Sequence, residues 1–366
     1  MPTHNNFFTI SKALGIILMV VGHSVCPDLL SRFIYLFHMP LFFFCSGIFF
    51  IVPKSYHKFK QYLHHRMKRL YWPFIKWNII FLLLHNLFYE YNIYCQEETS
   101  LYSNKDFVQR VLSIIISMSN QEPIVFQLWF LKQLLLSSVL ICSFSYILYK
   151  YRLKDKPYLS LFALISLTII TKSTDLTIPI IEDVSIVLLS TIFFYIGSIS
   201  NKYICKIRFS ISRGGLCFCI LIILTFLLNS KIEMLSYNSQ DVPTYICAAL
   251  IGIYMIICFA KYIENSQVAS RFYICKMLYY IGNNTMVILI WHLFAFKLGS
   301  LIKILLFNYP LSRLPEYALI AENNTYFWII YTIIGCCLPL IINYLITCLK
   351  KRLILKHQNN VPRTNI

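Results

Sequence analysis

Apolar runs long enough to cross a lipid bilayer recur along almost the whole chain. A bilayer's hydrocarbon core is crossed by about 20 helical residues, so runs of that length are typical of transmembrane helices. Hydrophobic residues make up 58% of the 366 residues and charged residues only 13%, whereas about 25% of an ordinary soluble domain is charged. The sequence therefore predicts an all-α polytopic membrane protein.

The apolar runs and the breaks between them predict about ten transmembrane helices. These cover residues 8–26, 33–52, 71–91, 126–149, 157–172, 184–200, 214–230, 243–262, 278–306 and 326–348. Lysine and arginine cluster in the loops after the even-numbered spans and near the C-terminus, whereas most acidic residues lie in the opposite loops. By the positive-inside rule, we expect both termini in the cytoplasm.

The net charge of +18 follows from this loop distribution, so membrane lipid is the expected partner and nucleic acid is not. The 13 cysteines lie mostly within apolar runs and form no paired CxxC motifs, so no metal site is predicted. We expect one transmembrane domain over residues 1–350, followed by a short basic cytoplasmic tail over residues 351–366.

The first predicted span carries a lysine, Lys12, and a histidine, His23. Their separation of eleven residues corresponds to three helical turns plus about 20°, so both side chains share one face and stand roughly 16 Å apart along the axis. Ionisable residues within spans usually face the bundle interior or a polar cavity. Lys12 alone could instead snorkel to the interface, and His23 could instead be a hydrogen-bonded core residue.

The loop before the third predicted span contains the segment RMKR, in which Arg66 and Arg69 occupy neighbouring helical positions. Paired guanidinium groups suit phosphate, because each can donate two parallel hydrogen bonds. On composition alone, ordinary positive-inside charge is the better explanation of this pair. Taken together with Lys12 and His23 on one face of the first span, the pair makes a cytoplasmic phosphate-bearing ligand a candidate.

These residues resemble the motifs of the membrane acyltransferases of family 3, the bacterial sugar and polysaccharide O-acyltransferases. Lys12 and His23 are similar to that family's basic-x10-His motif, and RMKR at 66–69 to its RxxR motif. Further similar segments, which extend the resemblance over most of the chain, are FHMPLFFFCSGIFF (37–50), WFLKQLL (129–135) and IGNNTMVILIWH (281–292). The chain departs from the family at Lys12, where arginine is commoner, and at Met286 and Ile290, which replace the usual Leu and Tyr.

The resemblance implies a multi-pass protein of the bacterial inner membrane that transfers an acyl group, usually acetyl. The donor would be cytoplasmic acyl-CoA (acetyl-CoA), and the acceptor a hydroxyl of a cell-surface or lipid-linked glycan. Carried over by position, Arg66 and Arg69 would hold the phosphates of CoA, and Lys12 would guide it. His23 would be catalytic, either as general base or as the nucleophile that accepts the acyl group.

His38, Trp129 and His292 are further candidates for contacts with the acceptor. His292 could instead support His23 or could equally be a packing histidine, and Trp129 could equally belong to an interfacial aromatic belt. A transporter or flippase for a sugar-lipid or anionic substrate would also place charged residues in its spans. The joint spacing of Lys12, His23 and RMKR favours an enzyme over a transporter. An amine also stays open as the acceptor of the acyl group.

Overall fold

The computed structural model describes residues 6–97, 99–204, 206–228, 231–267, 269, 273–321 and 326–359. The helices before residue 151 are α1 (Asn6–His23), α2 (Asp28–Tyr35), α3 (His38–Ile48), α4 (Tyr56–Arg66), α5 (Trp72–Leu83), α6 (His85–Glu90), α7 (Asn104–Ser117) and α8 (Trp129–Lys150). A π turn, Met67–Tyr71, joins α4 to α5, and a 3₁₀ turn, Pro123–Leu128, leads into α8.

The later helices are α9 (Pro157–Ser173), α10 (Val184–Ser200), α11 (Ile211–Leu227), α12 (Val242–Asn265), α13 (Ile274–Asn283), α14 (Thr285–Phe307) and α15 (Trp328–Asn359). Short 3₁₀ turns cover Ser239–Asp241 and Leu311–Arg313. Two two-residue strands, β1 (Thr177–Ile178) and β2 (Glu182–Asp183), pair antiparallel with Thr177 opposite Asp183. Regular secondary structure in the described residues is therefore almost entirely helical, which confirms the all-α fold class.

In the described part of the chain, six segments are long and apolar enough to cross a membrane. They are Asn6–His23, Asp28–Ile48, Pro123–Lys150, Ser239–Asn265, Thr285–Phe307 and Trp328–Lys350. Three shorter apolar helices, α9, α10 and α11, accompany them. Each of the ten predicted spans coincides with one helix or with two consecutive ones, but the number of crossings and the cytoplasmic termini stay predictions. Of the predicted tail 351–366, the part up to residue 359 continues α15, and the rest lies outside the described residues.

Helix α1 lies at the centre of the bundle. It packs against α2, α3, α12, α13, α14 and α15. Its side chains are apolar on almost every side, as is typical of a helix surrounded by other helices, and Phe8, Ile10, Ala13 and Val20 are fully buried. The C-terminal end of this central helix is His23, so the fold holds that histidine between several neighbouring elements.

Helices α3 and α10 cross at two glycines, Gly47 and Gly197. A methyl group at Gly47 would collide with the carbonyl oxygen of Phe194, and one at Gly197 with the carbonyl oxygen of Phe44. The two backbones therefore touch directly, in the way that small residues allow in membrane helix pairs. This crossing fixes α3, and with it His38 at the start of α3.

The second predicted span, residues 33–52, is a broken helix. Helix α2 ends at Tyr35, and α3 begins only at His38 after the non-helical Phe37. Pro40 falls in the first turn of α3, where its missing N–H costs no helical hydrogen bond. Irregular backbone at membrane depth is tolerated where it lies within protein or lines a cavity. Here the break turns Tyr35 and His38 toward the end of α1.

A buried pair, His85 and Glu122, anchors the segment between α6 and α8. The Nδ1 atom of His85 lies 2.9 Å from Oε2 of Glu122, and its Nε2 lies 3.0 Å from the carbonyl oxygen of Ser100. Tyr102 stacks on the imidazole with ring centroids 3.4 Å apart. Burial raises the pKa of Tyr102 to about 12, with the charge of Glu122 as the next cause, so its hydroxyl keeps its proton.

Two lysines in the C-terminal half of α14 are buried and bind backbone carbonyls. Lys297 Nζ donates to the carbonyl oxygens of Leu314 and Glu316 at 3.0 and 2.8 Å. Lys303 Nζ donates to the carbonyl oxygen of Ile320 at 3.0 Å. These bonds solvate cations that would otherwise be costly inside an apolar helix bundle, and they hold the segment after α14 against that helix.

Candidate active site

A cavity of about 170 Å³ lies at the C-terminal end of α1. Three residues singled out from the sequence, His23, His38 and Trp129, line it together. Its other lining residues come from α2, the 3₁₀ turn before α8, the segment after α11, and α14, and they include Tyr35, Gln127, Lys231, Glu233 and Leu289. The fold therefore brings residues from distant parts of the sequence to one polar cavity.

His23 is half-buried and faces this cavity. Its ring centroid lies 5.5 Å from that of His292 and 6.1 Å from that of Tyr35, which presents an edge-on ring. Within the described residues, His23 has no hydrogen-bond partner. The interpretation of His23 as a hydrogen-bonded core histidine is therefore not supported, and its imidazole is available to a ligand.

His292 and His38 are both buried, and each uses Nδ1 to bind the backbone of its own helix. His292 Nδ1 lies 3.0 and 3.1 Å from the carbonyl oxygens of Ile288 and Leu289. His38 Nδ1 lies 2.9 Å from the carbonyl oxygen of Ile34. Because a carbonyl oxygen only accepts, Nδ1 carries the proton in both rings, and the neutral ring keeps Nε2 as an acceptor.

The Nε2 atom of His292 is buried and has no partner among the described residues. His292 does not itself line the cavity. Buried polar atoms are usually hydrogen-bonded, so its unpaired acceptor points to a ligand or to a partner that rearranges. His292 lies 5.5 Å from His23 by ring centroids. The structure thus brings these two sequence candidates together, although their positions lie near opposite ends of the chain.

The rim of the cavity carries a charged pair, Lys231 and Glu233. Lys231 Nζ lies 3.1 Å from Glu233 Oε2 and 3.6 Å from the centroid of the Tyr35 ring. Gln127 completes the polar wall: its Nε2 donates to the carbonyl oxygens of Ile124 and Ile290, and its buried Oε1 has no partner in the described chain. The side chains offer both hydrogen-bond donors and acceptors, as recognition of a polyhydroxylated ligand requires.

Sequence reasoning missed Tyr35, Gln127, Lys231 and Glu233 as site residues. Tyr35 and Gln127 lie beside breaks in helices that the hydropathy pattern does not reveal. Lys231 was a usable signal, because it is one of few basic residues in the predicted outer loops. A basic residue such as Lys231, in a loop on the predicted outer side of the membrane where basic residues are few, is itself a candidate site residue.

Cys26, three residues beyond His23, is the nearest thiol in the sequence and is free. Its side chain is buried. The thiolate is the nucleophilic form of cysteine and is disfavoured in apolar surroundings, so Cys26 is a poor substitute for His23. Across the described residues, no group of three His, Cys, Asp or Glu side chains is arranged to hold a metal ion.

The three candidate phosphate-binding cations do not line this cavity. Phe8 of α1 contacts Phe49 at 5.6 Å, and Phe50 contacts Tyr62 of α4 at 5.3 Å, in both cases between ring centroids. The beginning of α1, which carries Lys12, and the end of α4, which carries Arg66, are therefore at the same end of the bundle. His23 lies toward the other end, about 16 Å from Lys12 along α1.

Arg66 and Arg69 have different surroundings. Arg66 is half-buried, donates from Nε to the hydroxyl of Tyr62 at 2.9 Å, and has its guanidinium carbon 5.7 Å from the Phe194 ring centroid. Arg69 is exposed and lies in the π turn Met67–Tyr71. The expectation that both occupy neighbouring positions of one regular helix needs correction, because the helix changes from α to π between them.

Comparison with known proteins gives one family. The model of acyltransferase family 3, described as an acyltransferase domain, matches residues 5–348. No curated protein and no solved structure matches the chain. The match includes the first helix with Lys12 and His23, the RMKR segment, and the helix that carries His292. Because the match covers nearly the whole chain, the protein belongs to acyltransferase family 3.

Proposed function

We propose that this membrane acyltransferase moves an acyl group, with acetyl as the first candidate, from cytoplasmic acyl-CoA to a hydroxyl of a cell-surface or lipid-linked glycan. One observation carries the proposal: His23, without a protein partner in the described chain, faces a polar cavity beside the unpaired Nε2 of His292. Family membership supports acyl transfer as the reaction class. The polar rim of Lys231, Glu233 and Gln127 favours a hydroxyl-rich acceptor.

His23 acts as the general base in the first of two possible routes. Its neutral imidazole takes the proton of the acceptor hydroxyl while the oxygen attacks the thioester carbonyl carbon. The new C–O bond forms as the C–S bond breaks, and the departing CoA thiolate takes up the proton from the imidazolium. Such proton transfer typically contributes about 10²–10⁴ in rate.

In the second route, the His23 nitrogen itself attacks the thioester carbonyl carbon. The C–S bond breaks, CoA leaves, and an acyl-imidazole remains on the protein. The departing CoA thiolate takes up the proton from the other ring nitrogen. The acceptor hydroxyl then attacks the acyl carbon, the C–N bond breaks, and the hydroxyl proton passes to the released imidazole, giving the same ester. The two routes differ in one measurable way. When the acceptor is withheld, only the second route leaves an acyl group covalently bound to the protein.

The bound acyl-CoA would extend from one end of the helix bundle to its interior. Lys12, Arg66 and Arg69 would hold the phosphates of CoA at the end where α1 begins. The extended pantetheine arm would then cover the roughly 16 Å between Lys12 and His23 along α1. By the predicted orientation, this route lets a cytoplasmic donor meet an acceptor on the outer side of the bacterial inner membrane.

The test is His23→Ala in the full-length protein, assayed in membranes with labelled acetyl-CoA and the surface glycan of the host. We expect transfer to fall by about 10²–10⁴-fold, with membrane insertion and abundance unchanged. His57→Ala is the matched control, because His57 is exposed on α4. Full activity in His23→Ala would refute the catalytic role, and sugar-lipid movement without CoA release would favour a transporter.

A further inference from the structure

A large groove lies on the opposite side of α14 from the His23 cavity. Its volume is about 1190 Å³, which exceeds the roughly 300–1,000 Å³ of ordinary small-molecule sites. It runs between α5, α14 and α15, and its apolar wall includes Trp77, Ile290, Trp291, Phe294, Leu338 and Ile342. Trp77 and Trp291 meet edge to face, with ring centroids 5.0 Å apart.

The charged side chains of the groove are all basic. Its lining includes His64, Lys68, Lys76 and Lys350 and, among the described residues, no aspartate or glutamate. None of these three lysines forms an ion pair with a described carboxylate. The groove therefore combines uncompensated cations with an apolar trough, which complements a ligand with an anionic head and an alkyl tail.

The trough has the depth of one membrane leaflet. Lys350 and Leu338, at its two ends on α15, are twelve residues apart, which corresponds to about 18 Å along a helix. Half of a bilayer's hydrocarbon core is about 15 Å. A phospholipid that keeps its phosphate at the lysines would therefore extend one acyl chain along the full length of the trough.

Helix α14 separates this groove from the catalytic cavity. Ile290 and Trp291 face the groove, whereas Leu289 faces the cavity and His292 lies against His23. An acyl thioester seated in the groove would have to cross α14 to reach His23. This geometry favours a resident lipid over the acyl donor as the occupant.

We propose that the groove binds an anionic phospholipid, with its phosphate at Lys68, Lys76 and Lys350 and one acyl chain along the trough. Basic residues between transmembrane helices near the cytoplasmic surface are a recognised setting for such headgroups. By the predicted orientation the lipid belongs to the cytoplasmic leaflet. The inference does not depend on the acyl-transfer reaction.

The test measures lipid bound to the full-length purified protein by native mass spectrometry and by thermal stabilisation. Vesicles of phosphatidylglycerol are compared with phosphatidylcholine of identical chains, and inorganic phosphate serves as the free anion. We expect stable phosphatidylglycerol adducts and little phosphatidylcholine. The variant Lys68→Gln/Lys76→Gln/Lys350→Gln should weaken phosphatidylglycerol binding by roughly 100-fold, since each surface lysine contributes about fivefold.

The control variant Lys54→Gln/Lys58→Gln/Lys154→Gln removes three exposed lysines outside the groove and should leave binding unchanged. Ile346→Trp, which adds bulk to an exposed lining position of the trough, should reduce binding without any change of charge. Equal binding of the two lipids, equal stabilisation by inorganic phosphate, or full lipid binding by the groove triple variant would each overturn the proposal.

Discussion

The imidazole rings of His23 and His292 lie with their centroids 5.5 Å apart and their planes inclined by 43°. His292 is fixed through Nδ1 to the backbone of α14, whereas His23 has no hydrogen-bond partner among the described residues. One ring is therefore held in place by the fold and the other is left for a ligand. This division suggests that His292 positions the reacting groups and that His23 acts on them.

The first prediction concerns this division of roles. His292→Phe removes the acceptor Nε2 while filling similar space, and we expect kcat to fall by about 10–100-fold with little change in KM for acyl-CoA. His292→Gln, whose Oε1 can still accept a hydrogen bond, should recover part of the loss. Steady-state kinetics in reconstituted membranes measures both constants. A raised KM with unchanged kcat would instead indicate a role in donor binding.

The second prediction concerns recognition of the CoA phosphates. Lys12→Gln and Arg66→Gln should each raise KM for acetyl-CoA by about 10–100-fold, the value of one charge-assisted hydrogen bond. Acetyl-pantetheine, which lacks the phosphates, should be used equally well by the wild type and both variants. Lys150→Gln is the control, because Lys150 is exposed at the end of α8. An equal loss with both donors would show that the cations do not bind phosphate.

The third prediction concerns the crossing of α3 and α10. Gly197→Ala places a methyl group against the carbonyl oxygen of Phe44, and such overpacking costs about 1–3 kcal/mol. We expect a lower thermal unfolding temperature in detergent and a loss of activity as His38 shifts. Gly215→Ala makes the same change where nothing lies within 4 Å, and it should leave stability unchanged or slightly raised.

The fourth prediction concerns the buried pair of His85 and Glu122. Both side chains have no exposed surface, and both ring nitrogens of His85 face acceptors. Glu122→Ala leaves His85 without its carboxylate partner and should destabilise the protein by about 3–5 kcal/mol. Glu122→Gln keeps a hydrogen-bonding oxygen and should cost less.

Thermal unfolding followed by tryptophan fluorescence measures these changes in stability. The control for this pair is Glu90→Gln, which alters an exposed carboxylate at the end of α6. If Glu122→Ala unfolds at the wild-type temperature, the pair does not anchor the segment between α6 and α8.

The helices were predictable because apolar length is a local property of the sequence. The predicted positions of His23, His38 and Trp129 also converge on one cavity in the structure. Convergence of that kind depends on how distant helices pack, so no periodicity could show that His292 would lie beside His23. The motif resemblance supplied His292 as a candidate residue but not its place beside His23, and the number of crossings and the roles of these residues stay predictions.

The missed features arise where the backbone departs from regular helix. The break at Phe37 turns Tyr35 toward the cavity, and the segment after α11 brings Lys231 over the Tyr35 ring. The π turn that separates the surroundings of Arg66 and Arg69 has no signature in hydropathy. These departures depend on long-range packing, which a single sequence read by propensity does not contain.

The π turn at Met67–Tyr71 holds one residue more than a regular α-helical turn. Within it, the amide of Trp72 donates to the carbonyl oxygen of Met67, five residues earlier. If one residue of the turn were deleted, the same bond would join residues four apart, as in an ordinary α-helix. Trp72 and Lys76 would then keep their places in the groove, and only side chains within the turn would change direction. Loss of one residue is therefore easier to accommodate in this turn than in a regular helix, where it would rotate all the following residues by about 100°.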